Sequence, residues 1–337
     1  MKYQFGNDLF PNPICLTVKK SDIPIIFLDS NILIELTKIK NDISKNEYKA
    51  ELEQLYDLLI KGIKQNQIIC PKAMQDMEIG FVKSKQHNLK ILNKLSKGIE
   101  FKSEDEIRKD QTDLLFSKFL KNKKEITISF EDAFINNPLK KKGMVINLNH
   151  IWPDNVAKRI QAEKIDRTES LNKLKESGDY RKNFKEQLCR EMTFELGTLI
   201  PKMRKKILQQ QKLTWYEKKF WYEHQTRMKK FKIKGDDNER LSKYLAFMSS
   251  TYYFQIPFLF IDRNITTYIL LYGKFDNGDF IDSKNASAYL PYCNYYFTDK
   301  KQHNLLKKLK LDKKYQTEVF CLKNVEKLIK KLEEIVQ

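Results

Sequence analysis

The apolar positions of this chain follow two patterns that alternate along its length. Residues 23–28, IPIIFL, form a short, β-branched and nearly unbroken apolar run. That is the pattern of a strand buried on both faces of a parallel sheet. The run stops at Asp29, and Ser30, Asn31 and a second apolar run follow at once. Residues 47–64 place Leu52, Leu55, Tyr56, Leu58, Leu59 and Ile63 at helical spacing. A second short strand is predicted at IIC (68–70). Pro71 then opens a helix over roughly 72–86, with Met74, Met77, Glu78 and Phe81 along one side. The first 90 residues therefore read strand–helix–strand–helix, an α/β pattern.

Further on the pattern changes. Residues 104–149 read as an irregular linker with one strand, ITISF at 126–130. From about 155 to 235 the chain is charged, almost free of glycine and helical in its spacing. Near 255 the α/β pattern returns with the apolar runs IPFLFI and TTYILLYG. DFIDSKNASAYLPYC reads as a helix opened by acidic residues, and YYF (295–297) as a short strand ended by Thr298 and Asp299. A basic helix follows, then a last strand, EVFCL (318–322), and a final amphipathic helix capped by Asn324. Two α/β pieces thus flank a basic helical insertion.

Charge sharpens this reading. The 337 residues carry a formal net charge of +19. Residues 201–234 alone hold twelve Lys or Arg against two acids, Glu217 and Glu223. Such an excess favours a polyanionic partner, nucleic acid first. The five cysteines are scattered and form no CxxC, which argues against a disulfide framework or a structural zinc site. No two of the four histidines stand at ligand spacing, so HExxH-type sites are excluded. The first twenty residues lack the apolar core of a signal peptide, and no apolar run reaches about 18 residues. The expected compartment is the cytoplasm, with no membrane partner.

Five acids stand where chemistry is plausible. Asp29 and Asp299 each end a predicted strand, and open parallel sheets bind ligands outside the carboxyl ends of their strands. Glu78 borders a buried stripe, and Asp279 and Asp282 share one face at the start of a helix. Carboxylates gathered in one pocket stay ionised only beside a cation. Mg2+ or Mn2+ fits, because hard cations take oxygen ligands, and such a site activates water toward a phosphodiester. Each acid also has a plainer role open to it: Asp29 and Asp299 as helix caps, Asp279 and Asp282 as first-turn acids, Glu78 as an exposed boundary residue.

The segment IIFLDSNILIEL resembles the first motif of PIN-like nuclease domains, an apolar strand followed by Asp-Ser/Thr-Asn and a helix start. ICPKAMQDMEIG is similar to that family's second motif, and GDFIDSKNASAYLPYCNYYFTDKK to its later acids and strand-ending Thr-Asp. The resemblance covers roughly 20–90 and 250–325. It implies a Rossmann-like parallel sheet sandwiched by helices, split into 20–100 and 251–337 by a mostly helical insertion at 101–250. It implies Asp29, Glu78, Asp282 and Asp299 as metal ligands, with Asp279 as the alternative third acid. Ser30, Asn31 and Thr298 would orient the acids or touch phosphate. The implied activity is Mg2+- or Mn2+-dependent cleavage of nucleic acid, with RNA expected first. The middle segment is far longer than a compact member of that family needs, and Asp76 competes with Glu78 as second acid.

In the basic insertion, Lys205, Lys206, Lys218, Lys219, Lys229 and Lys230 are the candidate phosphate contacts. The aromatics of WYEKKFWYEH (215–224) can stack on unpaired bases. Their spacing fits better a helix that buries its aromatic face in a core. Two other functions stay open: a PIN-like scaffold that binds nucleic acid without cleaving it, and an interaction protein with a partner from the same operon, as in toxin–antitoxin or antiphage systems.

Overall fold

A computed structural model describes residues 14–73, 75, 85–139, 154–276 and 278–336. Most of the helix expected over 72–86, Glu78 included, lies outside the described residues. In chain order the main elements are β1 (Cys15–Lys19), β2 (Ile26–Leu28), α1 (Ser30–Lys40), α2 (Lys49–Lys64), α3 (Lys85–Ser96), α4 (Glu104–Leu120) and β3 (Glu125–Ser129). They continue with α5 (Asp154–Ser177), α6 (Phe184–Met192), α7 (Ile200–Leu208), α8 (Trp215–Lys230), α9 (Asp237–Met248) and α10 (Pro257–Tyr272). The last are α11 (Asp279–Tyr289), β4 (Tyr295–Phe297), α12 (Lys300–Lys308), β5 (Glu318–Phe320) and α13 (Val325–Ile335). The protein is a mostly helical α/β protein, with a three-stranded parallel sheet in the order β2–β4–β5 and a two-stranded pair, β1–β3.

Two compact units divide the chain. The α/β unit comprises Val18–Ile107, Ile128–Ser170 and Asp276–Gln337. Its sheet is short but buried on both faces, because successive strand side chains alternate. Ile26 and Leu28 join Phe297 and Phe320 in a core with α1, α2, α3 and α13. Phe27 points the other way and stacks on Tyr296 at 4.7 Å and on Tyr289 of α11 at 5.3 Å. Each such buried side chain contributes about 1.5–3 kcal/mol, so the unbroken apolar run at 25–28 is what a two-faced strand requires. The expected strand at 68–70 is reduced to one parallel bridge, Ile25 to Ile69. Pro71 has no N–H with which to extend that ladder.

The helical unit comprises Met1–Thr17, Arg108–Thr127 and Leu171–Phe275. Its interior is aromatic: Phe116 meets Phe247 at 5.0 Å and Tyr244 at 6.0 Å. The runs IPFLFI and TTYILLYG form a single helix, α10, and not a return of the α/β pattern. Pro257 sits in its first turn, and Phe258, Ile261, Ile265 and Ile269 recur at helical spacing. The helix is buried nearly all round, polar residues included: Asn264, Thr266 and Thr267 are buried, and Arg263 pairs with Glu195 at 2.9 Å. The other departure is α4, which occupies part of the stretch read as a linker. Its second half is apolar while Gln111, Thr112 and Asp113 are buried, so its sequence shows no clean stripe. A start signal was present: Ser103 and Glu106 exchange hydrogen bonds at 2.9 and 3.3 Å as a capping box.

Candidate metal centre

The centre is built at the carboxyl ends of two neighbouring strands. Leu28 of β2 lies opposite Phe297 of β4, so Asp29 and Thr298 leave the sheet side by side. The Asp29 N–H donates to the Phe297 carbonyl at 2.9 Å, which extends the ladder by one bond. Asp29 then takes an extended conformation and caps α1, its Oδ1 accepting from the Ser30 N–H at 2.7 Å. The Thr298 hydroxyl donates to Asp29 Oδ2 at 3.0 Å. The carboxylate is 3% exposed and gripped from both strands.

Asp299 repeats the device one strand over. It caps α12, and its Oδ1 accepts from the backbone of Lys301 at 2.6 Å and of Gln302 at 3.0 Å. Asp282 arrives from α11, whose main chain is tied to α12 by the buried Gln302 amide donating to the Asp282 carbonyl at 3.1 Å. One carboxylate oxygen from each of Asp29, Asp282 and Asp299 lies within 4.8 Å of the others. Two oxygens on opposite sides of a hard cation, bonded at about 2.0–2.6 Å each, stand about 4–5 Å apart. The group can therefore hold a metal ion.

Asp279 goes elsewhere. It is buried, accepts from the Asp276 N–H at 2.9 Å and pairs with Lys301 Nζ at 2.6 Å. Lys301 also reaches Asp276 at 2.6 Å. The two acids at i, i+3 are thus parted: Asp282 joins the cluster and Asp279 is neutralised by a lysine.

The electrostatics match a site short of positive charge. Burial pushes the Asp29 carboxyl up to about 6, against the lowering hydrogen bonds from Thr298 and Ser30, and the charge of Asp299 raises it further. Burial also raises Asp279, with Lys301 opposing. Of the supporting residues, Thr298 donates to Asp29, and Ser30 is buried beside it and donates its backbone N–H to the same carboxylate. Asn31 is exposed on the first turn of α1, and among the described residues its side chain makes no hydrogen bond to the acids. Three positioning residues carried no sequence signal: Gln302, Lys301, and Gln75, whose buried amide donates to the Leu28 carbonyl at 2.9 Å.

The helical unit sorts the candidate lysines. Lys206 bonds both oxygens of the buried Glu217 at 2.8 Å, and Lys230 bonds Asp113 at 2.7 Å. Both hold helices together. Lys205, Lys218 and Lys229 are exposed, and Lys219 lies 5.3 Å over the Trp215 ring. The aromatic face expected in a core is present only in part: Phe220 and Trp221 are half-buried against Tyr244 and His224, whereas Trp215, Tyr216 and Tyr222 are exposed.

Among the described residues no helix is long and apolar enough to cross a membrane. Compared with protein-family models, with curated proteins and with solved structures, the chain shows no match.

Proposed function

We propose that this chain is a metal-dependent nuclease of the PIN-like kind, which hydrolyses phosphodiester bonds of RNA with Mg2+ or Mn2+ held by Asp29, Asp282 and Asp299. The observation that carries this reading is the approach of those three carboxylates to within 4.8 Å at the carboxyl ends of adjacent parallel strands. All-oxygen donors of this kind select hard divalent cations over zinc or copper.

A cation bound there would supply Lewis acidity and a lowered pKa for bound water. The protein's own part is positional. Thr298 and the Ser30 N–H fix the Asp29 carboxylate, the α12 backbone fixes Asp299, and Gln302 sets the register of α11. Lys301 keeps Asp279 and Asp276 from adding further negative charge to the cluster. Glu78 is proposed as a fourth carboxylate on its sequence pattern alone. The net charge of +19 would draw a polyanion toward the protein.

The test is incubation of wild type and Asp29→Asn with labelled RNA and single-stranded DNA, in Mn2+ or in EDTA. Cleavage of RNA by wild type in Mn2+ only is the expected result. Cleavage that survives EDTA or the substitution contradicts the proposal. Binding without cleavage would favour a scaffold that holds nucleic acid without chemistry.

A further inference from the structure

Helix α8 buries two charged residues and exposes two large rings. Its inward face holds charge: Glu217 is 2% exposed, and Arg227 is 4% exposed and pairs with Asp113 at 2.7 Å. Its outward face holds two large rings, Trp215 at 66% exposure and Tyr222 at 72%. The rings stand at i and i+7, with Lys218 and Lys219 at i+3 and i+4 between them, so all four share one face. Two turns of helix separate the rings by about 10.5 Å.

Folding accounts for this face only through Lys219, whose ammonium lies 5.3 Å over the Trp215 ring. Rings left in water add nothing to a core, whereas the buried Glu217 requires Lys206 and the Thr214 cap to satisfy it. Exposed aromatics are instead the usual anchors of binding surfaces. The charge beside them says what would be anchored. Lys218 and Lys229 are exposed on α8, and the Lys206–Glu217 pair docks α7, with its exposed Lys202, Arg204 and Lys205, onto the same helix. Lysines suit phosphates and flat rings suit bases, but bases offer their faces only where they are unpaired.

We infer that the α8 face formed by Trp215, Lys218, Lys219 and Tyr222 binds single-stranded nucleic acid, its rings stacking on unpaired bases and its lysines following the phosphates. The inference deepens the nuclease reading by naming the form of substrate, but binding at this face needs no metal.

The experiment measures binding of a fluorescein-labelled 20-nucleotide oligouridylate by anisotropy in EDTA. Its arms are the deoxy counterpart, the duplex of the same strand with its complement, and polyglutamate as competitor. Trp215→Ala with Tyr222→Ala is expected to weaken oligouridylate binding at least about tenfold with an unchanged melting temperature, while Trp215→Phe with Tyr222→Phe keeps most of the affinity. The duplex is expected to bind more weakly than either strand form. Equal affinity of the alanine variant and wild type would overturn the inference. So would duplex binding as tight as single-strand binding, or polyglutamate competing as well as the oligonucleotide, which would mark a surface for acidic proteins. Because every arm is free of metal, failed binding here counts against this inference alone, and absent cleavage in the Mn2+ incubation counts against the nuclease reading alone.

Discussion

The Thr298 hydroxyl on one strand donates to the Asp29 carboxylate on its neighbour at 3.0 Å, in a place where Asp29 is all but sealed from solvent. This bond couples the two strand ends that carry the proposed ligands. Removing it leaves a buried carboxylate oxygen without that donor, a loss of about 1–3 kcal/mol. Thr298→Val is therefore expected to lower both the stability of the metal-free protein and its affinity for Mn2+, while Thr298→Ser retains both. Thermal melting and Mn2+ titration of the two variants check this.

Asp29 and Asp299 are helix caps as well as proposed ligands, and the two roles separate by substitution. Asparagine caps a helix about as well as aspartate, whereas alanine costs about 1 kcal/mol. Asp299→Asn should melt close to wild type and lose metal binding; Asp299→Ala should lose both. Asp299→Asn also removes a charge that raises Asp29. Its metal-free form should then lose less stability as the pH rises. Melting curves with and without Mn2+ give both readouts.

The raised Asp29 carboxyl predicts a pH dependence with a definite sign. Its folded value is about 6 against an ordinary 3.8. Between those values the folded chain holds a proton that the unfolded chain has lost, so the stability of the metal-free protein falls as pH rises through this window. A cation must displace that proton. Mn2+ is expected to raise the melting temperature little at about pH 5 and substantially at about pH 7.5. Equal gains at both pH values would count against Asp29 as a ligand.

Lys301 pairs with Asp276 and with the buried Asp279. Replacing it by methionine leaves Asp279 uncompensated and should cost about 1–2 kcal/mol, discounted because the lysine head is half exposed. Adding Asp279→Asn should restore most of the loss. A double-mutant cycle on denaturant midpoints measures the coupling.

The lysines of the helical unit should divide in the same way. Lys206→Ala removes the partner of buried Glu217 and should destabilise the protein. Lys205→Ala and Lys218→Ala touch exposed positions and should leave stability unchanged while weakening oligonucleotide binding and flattening its salt dependence. Melting and anisotropy at two salt concentrations distinguish the groups.

How far the sequence could be read follows from these residues. The strand at 25–28 was legible because burial on both faces leaves an unbroken apolar run, and its terminal aspartate stood out against it. Asp29 caps α1, and the extended conformation that does so also places its carboxylate at the strand end, so the cap leaves the ligand role open. Asp279 and Asp282 were inseparable in sequence because one helical turn sets them on one face. The residue that parts them, Lys301, comes from another helix and is brought there only by folding. Helices α4 and α10 are hard to read in the sequence for one reason. Both bury polar residues among apolar ones, Gln111, Thr112 and Asp113 in α4 and Asn264, Thr266 and Thr267 in α10, so neither shows a clean stripe. On α8 the helical spacing is legible but the faces are not, because Trp215 and Tyr222 point outward while Glu217 and Arg227 are buried.

In the proposed centre three carboxylates share one cation. Asp282 tests it best, because its side chain caps neither α1 nor α12, so Asp282→Asn changes the charge without touching either cap. Calorimetric titration of Mn2+ into wild type should give one site per chain, weakened at least about tenfold by Asp282→Asn. No binding by wild type at millimolar Mn2+, or equal binding by both proteins, would contradict it.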